Sequence, residues 1–326
     1  MNPRVVFFST SEISLPCLEF LQREPTITLC GILTQPARAK GRGHMQTANP
    51  IALWAQEHQI PFYPAETLDD AAFHWLQSVQ PSLGIVFSFG HRLPQRFLTI
   101  PPLGMWNLHT SLLPKYRGAS PIQTALLQGD RETGVTLMSM TEALDAGPWL
   151  MQKTVPIAPT DTTLTLTQTL AQASAECLQT SLPRLLSRSY TLIPQEESQA
   201  TFCKKITKMD GRLDFSQPAI ELERRIRAFQ PWPGAYFFQK NERLLVLQAH
   251  VLDMIDRSLT PGMFFTDPHQ KTLQVGTGKG ILVIDRIQKA GKKPISSAEF
   301  LRGNRTFLAT AENRRLGSTK EKFSLH

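Results

Sequence analysis

Apolar positions fall into two alternating spacings along the first half of the chain. Residues 4–8 run Arg-Val-Val-Phe-Phe, the pattern of a strand covered on both faces. Leu15, Leu18 and Leu21 recur at helical spacing, so a helix is predicted over 14–23 and a second strand over 27–33. The alternation continues with a helix at 50–58, a short strand at 61–63 and a helix at 69–79. Residues 83–87 are an unbroken apolar run, as a central parallel strand requires. A strand beginning at Met105 breaks at Thr110-Ser111, and a helix is predicted over 121–128. Strand-like alternation returns at 133–140 and 149–155, before a long helix that Asp161-Thr162-Thr163 would cap and that reaches about residue 186. This order predicts an α/β fold with a doubly wound, mostly parallel sheet of Rossmann-like type.

The pattern then changes. Residues 187–200 are polar and aperiodic. The division read from this is a first domain over 1–188, a linker over 189–200, a second domain over 201–316 and a disordered tail over 317–326. In the second domain a helix near 219–228 precedes short strand-like runs at 236–238, 244–247, 262–265, 273–275 and 281–284. Such runs, separated by turns, predict a small OB-like β-barrel. Gly276, Gly278 and Gly280 fall between two of them and read as a hairpin turn.

Composition alters little. Hydrophobic residues make up 41% of the 326 and charged residues 19%, ordinary values for a globular protein. No run approaches the ~18 apolar residues of a membrane span. The chain enters its first strand directly after Met1-Asn2-Pro3, which is too short for a signal peptide, so a cytoplasmic protein is expected. Cys17, Cys30, Cys177 and Cys203 are scattered and lack metal-ligand spacing.

Charge placement says more. Residues 1–206 hold 15 Lys+Arg and 15 Asp+Glu, whereas 207–326 hold 20 and 12, so the whole excess of +8 lies in the last third. A one-sided excess with no hydrophobic anchor favours nucleic acid over membrane as partner. A second basic feature lies between strand and helix at 34–44, where Arg38, Lys40 and Arg42 sit among glycines in an aperiodic loop suited to phosphates.

Candidate chemistry centres on Asn107 and His109. On a strand the two side chains share a face across Leu108. An amide that donates to an oxyanion beside an imidazole that moves a proton suits attack of an amine on a carbonyl. Asp145 is the third candidate, far along the chain. Ser88-Phe89-Gly90 follows the apolar run at 83–87, so it and the loop after His109 are expected to line one pocket at the carboxyl ends of the strands. The dinucleotide fingerprint is missing: Ser9-Thr10-Ser11-Glu12 stands where G-x-G-x-x-G would begin.

Ser111-Leu112-Leu113-Pro114 followed by Lys115-Tyr116-Arg117-Gly118-Ala119-Ser120-Pro121 resembles the signature of the 10-formyltetrahydrofolate-dependent formyltransferase family. Segments in the second half, including residues 205–212, Arg227-Ala228-Phe229-Gln230-Pro231-Trp232-Pro233-Gly234 and Ala290-Gly291-Lys292-Lys293-Pro294, are similar to the carboxy-terminal domain of members that act on charged tRNA. The resemblance implies Asn107, His109 and Asp145 as the catalytic trio. It implies folate contacts at Ser111, Leu112, Leu113 and Pro114, with Phe89 and Gly90 on the folate side, and tRNA contacts at Arg38, Lys40, Arg42, Lys292 and Lys293. The implied co-substrate is 10-formyltetrahydrofolate and the implied acceptor the α-amine of initiator methionyl-tRNA, with no metal, membrane or obligate protein partner. An amino-sugar nucleotide is the alternative acceptor. Three positions depart from the family pattern. Ser9-Thr10-Ser11 replaces Gly-Thr-Pro, Phe89 stands where Tyr is common, and Thr110 replaces a Gly. If that Gly needs positive φ, a β-branched Thr is costly there.

Overall fold

The computed structural model describes residues 2–40, 45–47, 49–239, 242–252, 260–266 and 272–304. Arg42 and the tail at 317–326 lie outside them. The chain divides into two compact units. The first holds residues 1–122, 131–157 and 165–205, and the second holds 123–130, 158–164 and 206–326.

In the first unit the alternating pattern becomes β1 (Arg4–Phe8), α1 (Leu15–Arg23), β2 (Thr28–Thr34), β3 (Arg38–Lys40), β4 (Met45–Thr47), α2 (Pro50–Glu57) and β5 (Phe62–Pro64). Then follow α3 (Asp70–Ser78), β6 (Leu83–Val86), α4 (Gln95–Leu98), β7 (Met105–His109) and β8 (Arg117–Gly118). After α5 (Pro121–Gln128), most of which belongs to the second unit, come β9 (Glu132–Ser139), β10 (Trp149–Pro156), α6 (Thr163–Ser187) and β11 (Phe202–Cys203). Seven strands pair in the order β10-β9-β7-β6-β1-β2-β5. The five from β7 to β5 are parallel, and β9 and β10 are antiparallel. Chain order reverses between β1 and β6, which places the switch point of the sheet there.

Burial follows the pattern. Val5 to Phe8 and the whole of β6 are closed to solvent, as parallel strands covered on both faces must be. Val6, Phe8, Leu33, Val86, Phe97 and Met105 share one core cluster with Ala72 and Leu76 of α3. Asn49 and Asp69 cap α2 and α3 through side-chain oxygens that accept from Ile51 and Ala72 amides.

Two differences from the sequence reading stand out. The basic stretch at 34–44 is not all loop: β3 pairs antiparallel with β4, Arg38 opposite Thr47 and Lys40 opposite Met45. Three-residue strands are too short to show a period. The polar stretch after α6 stays with the first unit up to Lys205. Ile193 bridges Trp149, and β11 pairs parallel with β8. Its backbone hydrogen bonds and polar side chains hold it, so no apolar period marks it.

The second unit is built on a six-stranded antiparallel sheet. Its strands are β12 (Ala235–Gln239), β13 (Glu242–Leu252), β14 (Phe264–Thr266), β15 (Leu273–Gly276), β16 (Ile281–Lys289) and β17 (Ile295–Ser296), accompanied by α7 (Ala219–Ala228) and α8 (Ser297–Gly303). β13 and β16 run well past the predicted apolar segments. Register shifts beside Gln248 bend β13, so its inward positions stop alternating cleanly. Residues 277–280 turn β15 into β16, as the glycine spacing predicts. Leu222 and Ile226 of α7 and Phe300 of α8 close the core over Leu244, Val246, Leu282 and Ile284. Among the described residues no helix is long and apolar enough to cross a membrane.

Candidate active site

The carboxyl ends of β1, β2, β6 and β7 form one polar edge. Hydroxyls and amides tie it together: Thr10 donates from its backbone N to Ser88 O at 3.2 Å and from Oγ1 to Phe89 O at 3.0 Å. Gln35 Nε2 donates to the same Phe89 carbonyl at 2.8 Å. Asn49 Nδ2 donates to Thr34 Oγ1 at 2.8 Å. Ser9 and Ser14 hydroxyls lie 2.6 Å apart. The Ser9-Thr10-Ser11 departure thus carries bonds across the switch point. Phe89 is buried, its ring edge-on to Phe8 with centroids 5.4 Å apart, so it is part of the core and offers the edge its carbonyl.

β7 ends at this edge between β6 and β9, with Asn107 opposite Val86 on one side and Met138 on the other. Asn107 is half-buried and has no hydrogen-bond partner for its side chain among the described residues. His109 is buried. Its Nε2 lies 2.9 Å from Tyr116 O, and a carbonyl can only accept, so Nε2 carries a proton. That leaves Nδ1 as the atom with a lone pair in the neutral ring. Nδ1 faces Asp145 Oδ2 at 3.7 Å, both side chains about one-tenth exposed or less. The Gly118 backbone N donates to the same Oδ2 at 2.9 Å.

The loop from Thr110 to Ser120 is wound by residues that permit it. Positive φ occurs at Tyr116 (60°) and Gly118 (121°), and Thr110 is not among the positive-φ residues, so its β-branch costs nothing. A Cβ on Gly118 would meet Cys203 O at 2.3 Å, so glycine is required beside β11. The Ser-Leu-Leu-Pro segment is fixed from below. Thr136 Oγ1 donates to Ser111 O at 2.6 Å and accepts from Leu113 N at 3.0 Å, and Gln152 Nε2 donates to Leu113 O at 2.6 Å. Ser111 commits its hydroxyl to Lys115 O at 2.5 Å, and Leu113 is buried, which leaves Leu112 and Pro114 half-exposed.

Support behind Asp145 comes from a residue that carries no mark in the sequence. Gln195 Nε2 donates to Asp145 O at 2.8 Å and Gly147 O at 2.7 Å. Buried Arg117 donates through Nε to Gln195 Oε1 at 3.0 Å and through its two terminal nitrogens to Glu197 at 2.9 and 2.7 Å. The guanidinium holds the Glu197 carboxyl below its usual range. Cys203 Sγ lies 3.3 Å from Tyr116 O, and burial foremost, with the Asp145 charge adding to it, pushes that thiol up. No signal in the sequence marks Gln195, because a lone glutamine in a polar stretch looks like surface.

The structure therefore brings Asn107, His109, Ser111 to Pro114, Asp145, Phe89 and Gly90 into one unit. Arg38 and Lys40 lie on β3 of that unit. Lys292 and Lys293 are exposed on the turn between β16 and β17 of the other. Among the described residues no group of His, Cys, Asp and Glu is placed to hold a metal ion.

Two family models cover the chain. The formyl transferase model matches residues 4–182 and the formyl transferase carboxy-terminal domain model matches residues 205–305. The chain belongs to the formyl transferase family. Among its relatives is a protein of Roseiflexus castenholzii named methionyl-tRNA formyltransferase, 39% identical over 306 residues, covering 94% of this chain and 97% of the relative. A protein of the same name from Methylococcus capsulatus is 40% identical over 301 residues, covering 91% and 96%. The fold is shared more widely. An N-formyltransferase from Helicobacter canadensis, solved with folinic acid and dTDP-3-aminofucose, superimposes with a TM-score of 0.64 at 16% identity, covering 89% of this chain and all of that one.

Proposed function

We propose that this formyl transferase moves the formyl group of 10-formyltetrahydrofolate to the α-amine of methionine carried on initiator tRNA, in the cytoplasm. The observation that carries the reading is identity near 40% to methionyl-tRNA formyltransferases across both units at over 90% coverage. The Helicobacter canadensis N-formyltransferase shares the fold at 16% identity.

The geometry supports a mechanism with named atoms. The neutral amine attacks the formyl carbon, and negative charge gathers on the formyl oxygen. The Asn107 amide, which has no partner among the described residues, donates to that oxygen. The attacking nitrogen becomes cationic and passes a proton to His109 Nδ1, since Nε2 is already committed to Tyr116 O. Asp145 stabilises the imidazolium across 3.7 Å. The same proton returns to N10 of the folate as the C–N bond breaks, and tetrahydrofolate leaves. Leu112 and Pro114 are the members of the Ser-Leu-Leu-Pro segment with surface to offer the folate. Ser111 and Leu113 hold the loop instead.

Exposed Lys292 and Lys293, with Arg38 and Lys40, are proposed as phosphate contacts for the tRNA. The test is a transfer assay with two acceptors, charged initiator tRNA and a 4-amino-sugar nucleotide, each with 10-formyltetrahydrofolate. Formylmethionyl-tRNA with no formylated sugar is the expected result. Transfer to the sugar alone would overturn the reading.

A further inference from the structure

Asp145 sits in a backbone conformation that an L-residue avoids. Its φ is 50°, at the third position of a turn closed by Ala146 N to Ala143 O at 3.4 Å. Aspartate enters this left-handed region more readily than most residues because its short side chain can hydrogen-bond locally. Here that compensation is missing. The carboxylate is turned across the site, accepting from Gly118 N at 2.9 Å and facing His109. The strain of the turn must be balanced from elsewhere.

Gln195 does so. Its Nε2 donates both hydrogens to the turn, one to Asp145 O at 2.8 Å and one to Gly147 O at 2.7 Å. Its Oε1 accepts from Arg117 Nε at 3.0 Å, so both ends of the amide are engaged. Gln195 is half-buried in a segment whose neighbours on both sides, Pro194 and Glu196, are exposed. Arg117 is anchored by Glu197 and is followed in the chain by Gly118, whose N–H holds the Asp145 carboxylate. The bonds close a ring: Asp145 carboxylate, Gly118, Arg117, Gln195, Asp145 carbonyl. Backbone and side chain of Asp145 are thus referred to one fixed point. Gly147 packs so closely on the Ser139 backbone that a Cβ there would meet Ser139 O at 1.8 Å, so only glycine fits at this end of the turn.

We propose that Gln195 is a positioning residue for the reaction, its amide locking the 143–147 turn so that the Asp145 carboxylate stays aimed at His109 Nδ1. This rests on the role of Asp145 given above. Only an amide side chain has two donors and an acceptor on one planar group, and glutamine has the reach that asparagine lacks by one methylene.

Gln195→Met keeps length and volume and removes all three bonds. Gln195→Glu keeps the acceptor for Arg117 and removes the two donations to the turn. Both are measured for kcat and for the KM of each substrate, the folate formyl donor and charged initiator tRNA. Each is made alone and combined with Asp145→Asn, with circular dichroism as the check on folding. A misaimed group costs about 10- to 100-fold in rate, and that loss is expected in kcat for both variants with each KM little changed. Residues that act through one another lose less together than the product of their single losses, so Gln195→Met added to Asp145→Asn is expected to cost little more. Wild-type kcat in either folded single variant overturns the proposal. So does a double mutant whose loss is the product of the two, which would show Gln195 acting by another route while leaving the Asp145 assignment intact. If the Met variant unfolds, the Glu variant still decides. Wild-type turnover on methionyl-tRNA, recorded in the same series, tests the functional reading separately.

Discussion

The end of β7 and the turn between β16 and β17 both carry polar residues assigned to substrate, and they are built oppositely. At the first, His109 and Arg117 are buried and Asp145 nearly so, and each is held by partners on two or more sides. At the second, Lys292 and Lys293 stand exposed, and the bonds there engage the Lys292 backbone, whose N donates to Lys289 O and whose O accepts from the Gln288 side-chain Nε2. The contrast fits what each is proposed to do. Proton transfer needs atoms held to within a fraction of an ångström. Attraction of phosphates needs charge near a surface and tolerates mobile side chains, because the gain comes from released counterions. Desolvating the lysines would weaken them as cations, and solvating His109 would loosen its aim.

The largest effect should come from removing the two groups proposed to touch reacting atoms. His109→Ala and Asn107→Ala are each expected to fold and to lower formyl transfer about 100-fold or more, which corresponds to about 2.7 kcal/mol of transition-state stabilisation. Turnover near wild type in either would erase the contrast at its strongest point. Asp145→Asn comes next. It keeps the shape of the turn but removes the charge opposite Nδ1, so kcat should drop with folate KM nearly unchanged. A raised folate KM with normal kcat would make Asp145 a ligand contact only.

A smaller effect is expected at the other region. Lys292→Ala with Lys293→Ala should raise KM for initiator and elongator methionyl-tRNA alike and leave kcat untouched, since phosphate contacts carry no sequence information. Discrimination between the two tRNAs by this variant would show the turn reading more than charge. Smallest is a stability effect of the first unit's core. Burial pushes the Cys30 and Cys177 thiols from 9.0 up to about 11. The unfolded thiols ionise first, so their contribution is complete below the unfolded value and is lost as pH rises toward the folded one. Melting temperature should therefore fall between about pH 9 and pH 11, and replacing both cysteines by alanine should flatten that fall. An unchanged slope would mean that the thiols ionise equally in both states.

How much of this was legible in the sequence differs along the chain for physical reasons. Residues 105–121 announce both strand and chemistry, because on a strand Asn107 and His109 must share a face and apolar Leu108 between them takes the other. Residues 83–87 are equally plain, since a strand buried on both faces has no room for polar residues. The 189–205 segment is opaque. It stays with the first unit through backbone pairing at Ile193 and Phe202 and through Gln195 and Glu197, and hydrogen-bonded docking leaves no periodic trace. The apolar run at 244–247 marks only part of β13, which spans Glu242–Leu252, because its bulge near Gln248 interrupts the alternation that marks a strand. The partner of His109 Nε2 could not be foreseen, because it is a carbonyl.

The buried network is proposed to set the rate of the chemical step and the exposed lysines to set tRNA affinity. The direct measurement is the salt dependence of kcat and of kcat/KM for methionyl-tRNA, taken on wild type, on Asp145→Asn and on the Lys292/Lys293 double variant. The double variant should keep wild-type kcat at every salt concentration and flatten the log–log slope of kcat/KM by about one for each cation removed. Asp145→Asn should keep the wild-type slope and lose kcat throughout. If Asp145→Asn flattens the slope, or if the double variant loses kcat at saturating tRNA, then the two regions do not divide the work as described.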